Sequence, residues 1–487
     1  MDWDLPIVID ERLTQSVAGQ IARAISDGIV RGRLRAGERI PGSRPLANVI
    51  GVHRNTVLAA VETLRSEGWI ETSRARGTFV AEHIPEPPPR ATAGTRKRPG
   101  ALETSGFAFE TGSQPPAIVV LRRGVFALSA GVPDLRLAPV NLLARAWRRA
   151  LLSSPRALLG YGDPRGDPRL RAALAKMLRA RRGMVVDADH IVVTRGSQMA
   201  LDLLARTVLR PGDRVAIESY GYRPAWNAFR AAGATLAPIP VDADGLKVEA
   251  LEEAHAAAPV RAVYVTPHHQ YPTTVGMSAS RRLALLDFAR RHRVPVIEDD
   301  YDHEFHYDGR PVLPLASVDR AGVVLYVGTL SKIVAPGLRV GFLAAPRDFI
   351  DRIADVRATV DRQGDQVTER ALAELLEEGE IQRHVRRLRR VLSRRRDACI
   401  ESLQTTLGGR VTFRIPAGGM SLWLRARGGT DVDAWAVRAS ERGVEMYTAK
   451  RFAFDGRARP YVRCVFAGLN EREMRDAIER LRAAWVP

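Results

Sequence analysis

The chain has 487 residues, 45% hydrophobic and 26% charged, with a formal net charge of +19. That length exceeds one ordinary core, so two or more domains are expected, with the composition of a soluble globular protein and no apolar run long enough for a membrane span. The acidic start Met1-Asp-Trp-Asp lacks a secretion signal's pattern, and two cysteines, Cys399 and Cys464, give neither a disulfide framework nor metal-ligand spacing; a cytoplasmic location and no metal are expected.

In chain order, Leu13 to Ile29 carries Val17, Ile21, Ile25 and Ile29 at helical intervals, and Gly32 and Gly37 then break the pattern. From Pro41 to Val57 the spacing predicts a short helix starting near Ser43, a turn at Gly51 and a second helix starting near His53. That is helix-turn-helix spacing, and it sets Arg54, Asn55 and Thr56 at the end of the second helix that reaches bases and phosphates in a major groove. Trp69–Thr72 and Gly77–Val80 then read as a two-stranded wing with Arg74 and Arg76 at its tip. With its Pro41-Gly-Ser-Arg44 entry and its closing Gly77-Thr-Phe-Val80, the segment 10–81 resembles the winged helix-turn-helix of GntR-family regulators. The resemblance implies that Ser43, Arg44, Arg54, Asn55, Thr56, Arg74, Arg76 and Gly77 bind double-stranded operator DNA. His53 departs from it: the family usually has a serine cap there, and histidine is expected to cap less well.

The formal charge of the first eighty residues is small, 11 Arg against 9 Asp or Glu, or +2. The excess lies further on, in Arg145 to Arg182 and in Ile381 to Arg396, which carries eight arginines. In the latter, Ile381, Val385, Leu388 and Leu392 recur at helical spacing, predicting an apolar seam with an arginine-covered back that is either solvated or set against DNA phosphates.

Residues 82–124 are rich in proline (Pro85, Pro87, Pro88, Pro89, Pro99, Pro115 and Pro116) and read as an extended linker. From 125 to 487, helical patterns alternate with the β-branched runs Ile191–Thr194, Arg214–Ile217, Ala262–Val265, Val294–Ile297 and Val323–Val327. This α/β order implies a mostly parallel sheet covered on both faces.

Several chemistry-bearing groups fall at or just beyond the ends of these runs, where open parallel sheets place ligands. Tyr161-Gly-Asp-Pro-Arg-Gly166 is a turn-rich loop, and Gly196-Ser-Gln198 opens an apolar helix whose N-terminus suits an anion. Tyr222, Asp299 and Tyr301 follow, and then Gly328-Thr-Leu-Ser-Lys-Ile-Val-Ala-Pro-Gly-Leu-Arg-Val-Gly341. There, Lys332 can condense with an aldehyde cofactor while Thr329, Ser331 and Arg339 hold a phosphate beside it.

The order of these groups resembles fold-type I pyridoxal-5'-phosphate enzymes of the aminotransferase class. The resemblance implies that Lys332 forms the Schiff base, Asp299 pairs with the pyridine nitrogen, Tyr301 bonds the ring oxygen and Tyr222 stacks on the ring. Ser197, Gln198, Thr329, Ser331 and Arg339 would surround the phosphate, joined by Tyr161 from the second subunit of a homodimer. Arg463 would take a substrate or effector carboxylate. Tyr271-Pro272 stands where the enzymes commonly have Asn-Pro, which leaves open what else bonds the ring oxygen.

The full length resembles the MocR subgroup of GntR-family transcription regulators. That implies a regulator sensing an amino compound, or pyridoxal phosphate itself, through Lys332. The alternative is an active aminotransferase with an appended DNA-binding domain, which steady turnover of an amino donor and a keto acceptor would reveal.

Overall fold

The computed structural model describes residues 7–10, 15–73, 77–83, 124–129, 131–309 and 312–486. Contacts divide the chain into two units, Met1–Pro115 and Pro116–Pro487. Of the expected linker 82–124, all but Glu82, His83 and Gly124 lie outside the described residues.

In the first unit, helix α1 (Val17–Val30) begins one residue after Ser16, whose side chain accepts from Gly19 N. Ile21, Ile25 and Ile29 bury one face of it against Leu46, Val57, Ala60, Leu64 and Ile70. Helix α2 spans Ser43–Ile50 and α3 spans Arg54–Ser66, as the spacing predicts. Between them Gly51 adopts φ 78°, a left-handed conformation that suits glycine and reverses the chain. The expected weakness at His53 is not found: its Nδ1 accepts from Asn55 N at 3.2 Å and caps α3. Strands β1 (Arg39–Ile40), β2 (Ile70–Ser73) and β3 (Gly77–Val80) pair antiparallel in the order β1-β3-β2, which makes the wing.

The second unit is built on a seven-stranded sheet. Its strands are β4 (Ile191–Thr194), β5 (Arg214–Glu218), β6 (Thr235–Ile239), β7 (Ala262–Val265), β8 (Val296–Asp300), β9 (Val324–Thr329) and β10 (Gly341–Ala344). The order is β4-β10-β9-β8-β7-β5-β6, and β10 alone runs against its neighbours. Alternate residues feed different cores: Ile191 and Val193 enter one and Val192 another. Across the sheet, Tyr264 and Ile297 share a core with Val192, while Val263 and Val296 pack on the opposite side. Helices therefore cover both faces, which suits nearly all-aliphatic strands. Two strands were not foreseen in the sequence. β6 carries Pro238, tolerable because β6 is an edge strand, and β10 is hidden in the tail of the lysine motif. Strand β8 also starts later and ends later than expected, so Asp299 stands inside it.

A second, antiparallel sheet lies in the C-terminal part: β11 (Val411–Thr412), β12 (Ser421–Ala426), β13 (Tyr447–Thr448) and β14 (Tyr461–Val465), in the order β11-β12-β14-β13. The long helix α4 (Glu380–Leu407) buries Ile381, Val385, Leu388 and Leu392 as a seam. Its arginines are not all on the back. Arg395 is buried on Asp134 at 2.8 Å, Arg396 is buried beside Asp308, and Arg389 donates to the Glu304 carbonyl. Arg386, Arg387, Arg390 and Arg394 remain exposed, with no acidic partner among the described residues.

A close backbone approach in the sheet region is between β10 and the turn after β4. A Cβ on Gly341 would stand 2.7 Å from the Gly196 carbonyl carbon, a contact with backbone that no side-chain rotation relieves. Gly341→Ala is expected to destabilise the unit by roughly 1–3 kcal/mol in chemical denaturation. An unchanged midpoint would mean that β10 and the Gly196 turn are not locked together.

Candidate functional site

Lys332 lies three residues beyond β9, and its Nζ donates to the Gly131 carbonyl at 2.8 Å. Burial, reinforced by Arg463, pushes its pKa down to about 8, although Asp302 and Asp299 pull the other way. Asp299 extends from β8, and its Oδ2 accepts from the Tyr264 hydroxyl at 2.8 Å. Its Oδ1 is buried with no partner among the described residues. Burial pushes this carboxyl up to about 7 against the Tyr264 hydrogen bond. A buried carboxylate oxygen left unmatched is costly, so the site calls for a donor there, best a cationic N–H.

Next to these groups is an anion cradle. The helix Gly196–Val208 opens with Gly196, and the Arg339 guanidinium lies 3.1 Å from where a Cβ on Gly196 would be. Arg339 Nη2 donates to the Arg195 carbonyl at 3.1 Å. Thr329 pairs with Gly341 across the β9–β10 ladder, and its Oγ1 accepts from Ser331 N at 3.1 Å. Ser197 and Gln198 occupy the first turn of the helix; Gln198 Nε2 is fixed on the Pro224 carbonyl at 3.0 Å. Hydroxyls, a guanidinium and a helix N-terminus thus converge, and helix N–H groups and their dipole favour a phosphate.

Tyr222 caps the helix Arg223–Ala231, and burial pushes its hydroxyl up to about 12. The Tyr271 ring stands edge-on to both Tyr222 and Tyr301, at 5.6 and 5.9 Å between centroids. Tyr301 donates its hydroxyl to the His269 carbonyl at 3.0 Å. Arg463, on β14, is 2% exposed and has no acidic partner among the described residues. Its guanidinium lies 4.8 Å from the Tyr271 ring centre, Nη1 donates to the Ser129 carbonyl at 3.4 Å, and Nε is buried without a partner. A buried cation in that state is suited to receiving a carboxylate.

The fold brings Ser197, Gln198, Tyr222, Asp299, Tyr301, Thr329, Ser331, Lys332, Arg339 and Arg463 into one region. Tyr161 is different: its ring is 82% exposed, with Arg362 stacked over it at 4.4 Å. Sequence reasoning missed Tyr264 and the Gly131 carbonyl, which hold Asp299 and Lys332. A tyrosine in the otherwise aliphatic strand Ala262-Val-Tyr-Val265 was the available signal; Gly131 gave none. It also missed Glu218, which accepts from Thr266 and Gln270 below Tyr271.

In the first unit, Arg44, Arg54 and Asn55 are exposed, and Ser43 and Thr56 are half-buried. Arg54 Nε donates to Ser43 Oγ at 3.3 Å, linking the starts of α2 and α3. Gly77 opens β3 at φ 104°, and Arg74 and Arg76 lie outside the described residues.

The family described as aminotransferase class I and II matches residues 123–481, and that described as bacterial regulatory proteins, gntR family, matches residues 17–80. A probable rhizopine catabolism regulatory protein, MocR, of Rhizobium meliloti is 33% identical, covering 99% of this chain and 96% of that one. The HTH-type pyridoxine biosynthesis transcriptional regulator PdxR of Corynebacterium glutamicum is 32% identical over 83% of this chain and 82% of its own. Among solved structures, Pyrococcus horikoshii kynurenine aminotransferase in complex with PMP superposes with a TM-score of 0.70 at 30% identity, over 74% of this chain and 90% of that one. The cofactor indicated is pyridoxal 5'-phosphate. The residues fit it: the partnerless Asp299 oxygen suits a protonated ring nitrogen, and the cradle suits a phosphate.

Only the neutral amine attacks an aldehyde, and that form dominates above the pKa of Lys332, about 8 against an ordinary 10.5. The rate at which the cofactor-free protein captures pyridoxal phosphate, followed by visible absorbance, should therefore rise with pH and level off above about 8. A rate still climbing tenfold per pH unit through pH 9 would contradict the burial of this amine.

Proposed function

The chain belongs to the MocR-type GntR regulators, in which a winged helix-turn-helix is joined to an aminotransferase class I and II domain, and from that membership we propose how it senses. It is a transcription regulator that binds DNA and pyridoxal 5'-phosphate. Our reading is that it responds to an amino compound, or to the cofactor itself, at Lys332. One observation carries this: the buried Lys332 amine interacts electrostatically with Asp299, whose buried Oδ1 has no hydrogen-bond partner among the described residues.

The cofactor, when bound, supplies an aldehyde that condenses with amines and a ring that withdraws electrons. Lys332 contributes the amine, Asp299 holds the ring N–H, Tyr222 covers the ring and Tyr301 bonds its oxygen. Ser197, Gln198, Thr329, Ser331 and Arg339 hold the phosphate. The exposure of Tyr161 supports its reaching a second copy's phosphate, so we assign a homodimer. Arg463 favours an effector bearing a carboxylate as well as an amine. The relative named for pyridoxine biosynthesis supports the cofactor as a second candidate signal. A DNA target favours a cytoplasmic location.

For DNA, Arg44, Arg54 and Asn55 present side chains to the groove, with Ser43, Thr56 and Gly77 nearer the backbone; Arg74 and Arg76, outside the described residues, complete the proposed set. The first eighty residues carry only +2 in formal charge, 11 Arg less 9 acids, a weak field for a polyanion. Arg386, Arg387 and Arg390 of α4 add phosphate contacts that this domain lacks.

An effector regulates only if it binds two states differently. DNA affinity of the full chain, measured by anisotropy on a duplex selected from a random pool, should change on adding pyridoxal phosphate or members of an amino-acid panel. Lys332→Ala should bind the same duplex but lose both the visible absorbance and the ligand response. Steady transamination with DNA affinity indifferent to every ligand would replace sensing by catalysis. Separately, the Arg386→Ala/Arg387→Ala/Arg390→Ala variant should flatten the dependence of log affinity on log salt by about 0.9 for each phosphate that is no longer neutralised. An unchanged slope removes α4 from the DNA interface.

A further inference from the structure

Beyond the cofactor residues, the turn after β7 and the segment after β8 bring together His268, His269 and His306. All three are buried, at 6, 5 and 9% exposure, and one ligand atom from each lies within 4.8 Å of the others. Among the described residues, both ring nitrogens of His268 are buried without a hydrogen-bond partner, and His306 meets only the Asp308 backbone. A neutral imidazole has one donor and one acceptor, and leaving such groups buried and unmatched is costly. Packing alone gives no reason for polar rings here; aliphatic side chains would fill the space without that cost.

His269 differs from the other two. Its Nδ1 is 2.8 Å from Asp302 Oδ1, while its Nε2 faces Gly418, where a Cβ would stand only 2.8 Å away. His306 makes an isolated antiparallel bridge with the same Gly418. The carboxylate fixes the His269 tautomer, with the proton on Nδ1 and the lone pair on Nε2. That arrangement of carboxylate behind imidazole orients histidine ligands on zinc.

We propose that His268, His269 and His306 form a binding site for a divalent first-row transition metal of the zinc type, with Asp302 as the positioning residue behind His269. Three imidazoles and no thiolate suit such a borderline ion and leave a fourth position for water or an exogenous ligand. Bonds of about 2.0–2.1 Å draw the nitrogens to about 3.4 Å apart, so the rings close inward by about 1 Å on binding. The expectation of no metal rested on cysteine spacing, and these histidines are split between two strand ends that only the sheet brings together. The bound ion ties the turn after β7 to the segment after β8, and through Gly418 to the lead-in of β12. Because the His269 carbonyl holds the Tyr301 hydroxyl, the metal braces one wall of the cofactor site.

The test uses tag-free full-length protein, stripped with a chelator and titrated with zinc(II) against a chromophoric competitor. One ion per chain at sub-micromolar affinity is expected. His268→Gln and His306→Gln should each weaken binding by about 100-fold, and Asp302→Asn by about 10- to 100-fold. Circular dichroism of the metal-free variants checks that they fold. Cobalt(II) added to the unmutated protein gives a second readout, a visible absorption of four-coordinate nitrogen ligation, independent of any variant's folding. Absence of stoichiometric zinc(II) binding, or binding unaffected by both glutamine variants, overturns the site, as does a cobalt(II) spectrum of the hydrated ion alone.

Discussion

The register of three strands around one reversed strand is the constraint on which the site depends. β8 and β9 are parallel, with Asp299 opposite Val327, and β9 meets the reversed β10 with Thr329 opposite Gly341. β10 in turn sets Gly341 against Thr194, at the doorstep of Gly196. A lysine after β9, a carboxylate on β8 and a helix N-terminus after β4 thereby come within reach, though they are far apart in sequence. A side chain at Gly341 would force this junction apart, so backbone touches backbone and the phosphate cradle stays tight.

Alternation along β8 then separates two electrostatic jobs. Asp299 and Asp300 are neighbours in sequence and face opposite sides of the sheet. Asp299 has only a tyrosine hydroxyl on one oxygen, and burial drives its pKa up to about 7. Asp300 is equally buried, but His303 and Arg182 outweigh that burial and hold it well below the usual carboxylate range. The Tyr326 hydroxyl donates to it at 2.6 Å, and Arg182 continues to Glu304 at 2.9 Å. One acid is therefore offset by His303 and Arg182 on its Oδ2, although its Oδ1, like that of Asp299, has no hydrogen-bond partner among the described residues, and the other is left wanting a cation. This asymmetry distinguishes a binding carboxylate from a packing one more sharply than burial does, since both are buried.

The sequence carried much of this where its signal was local. The helix-turn-helix could be placed almost to the residue because Ser43, Gly51 and His53 are turn and cap positions, whose chemistry is written in neighbouring residues. Lys332, Asp299 and the phosphate residues were legible as a series of motifs at strand ends. What stayed hidden was non-local. β6 carries a proline that only an edge position explains, and β10 is a short run that only its partners make a strand. The arginines of α4 looked like one uniform charged face, but Arg395 and Arg396 turn inward because Asp134 and Asp308, distant in sequence, wait for them. Gly131, which sets the amine, has no signature outside the folded chain, and Tyr264, which sets the acid, shows only as a tyrosine in an otherwise aliphatic strand.

The two ends of the proposed effector site belong to different sheets. Lys332 is carried by the large parallel sheet, whereas Arg463 is on β14 of the antiparallel one. The joints between them are slight by secondary structure: single bridges at Tyr220–Ala453 and His306–Gly418. A molecule that gives its amine to the Lys332 site and its carboxylate to Arg463 spans that seam. It gains both contacts only in the arrangement that brings the sheets to the right separation. On that proposal its affinity would differ between two separations of the sheets, and that difference would be the free energy available for regulation. The cofactor alone would be held mainly by residues of the large-sheet side, so on this proposal it would bias the seam less. On this geometry an amine or a carboxylate alone is a weak signal, and the pair in one molecule is a strong one.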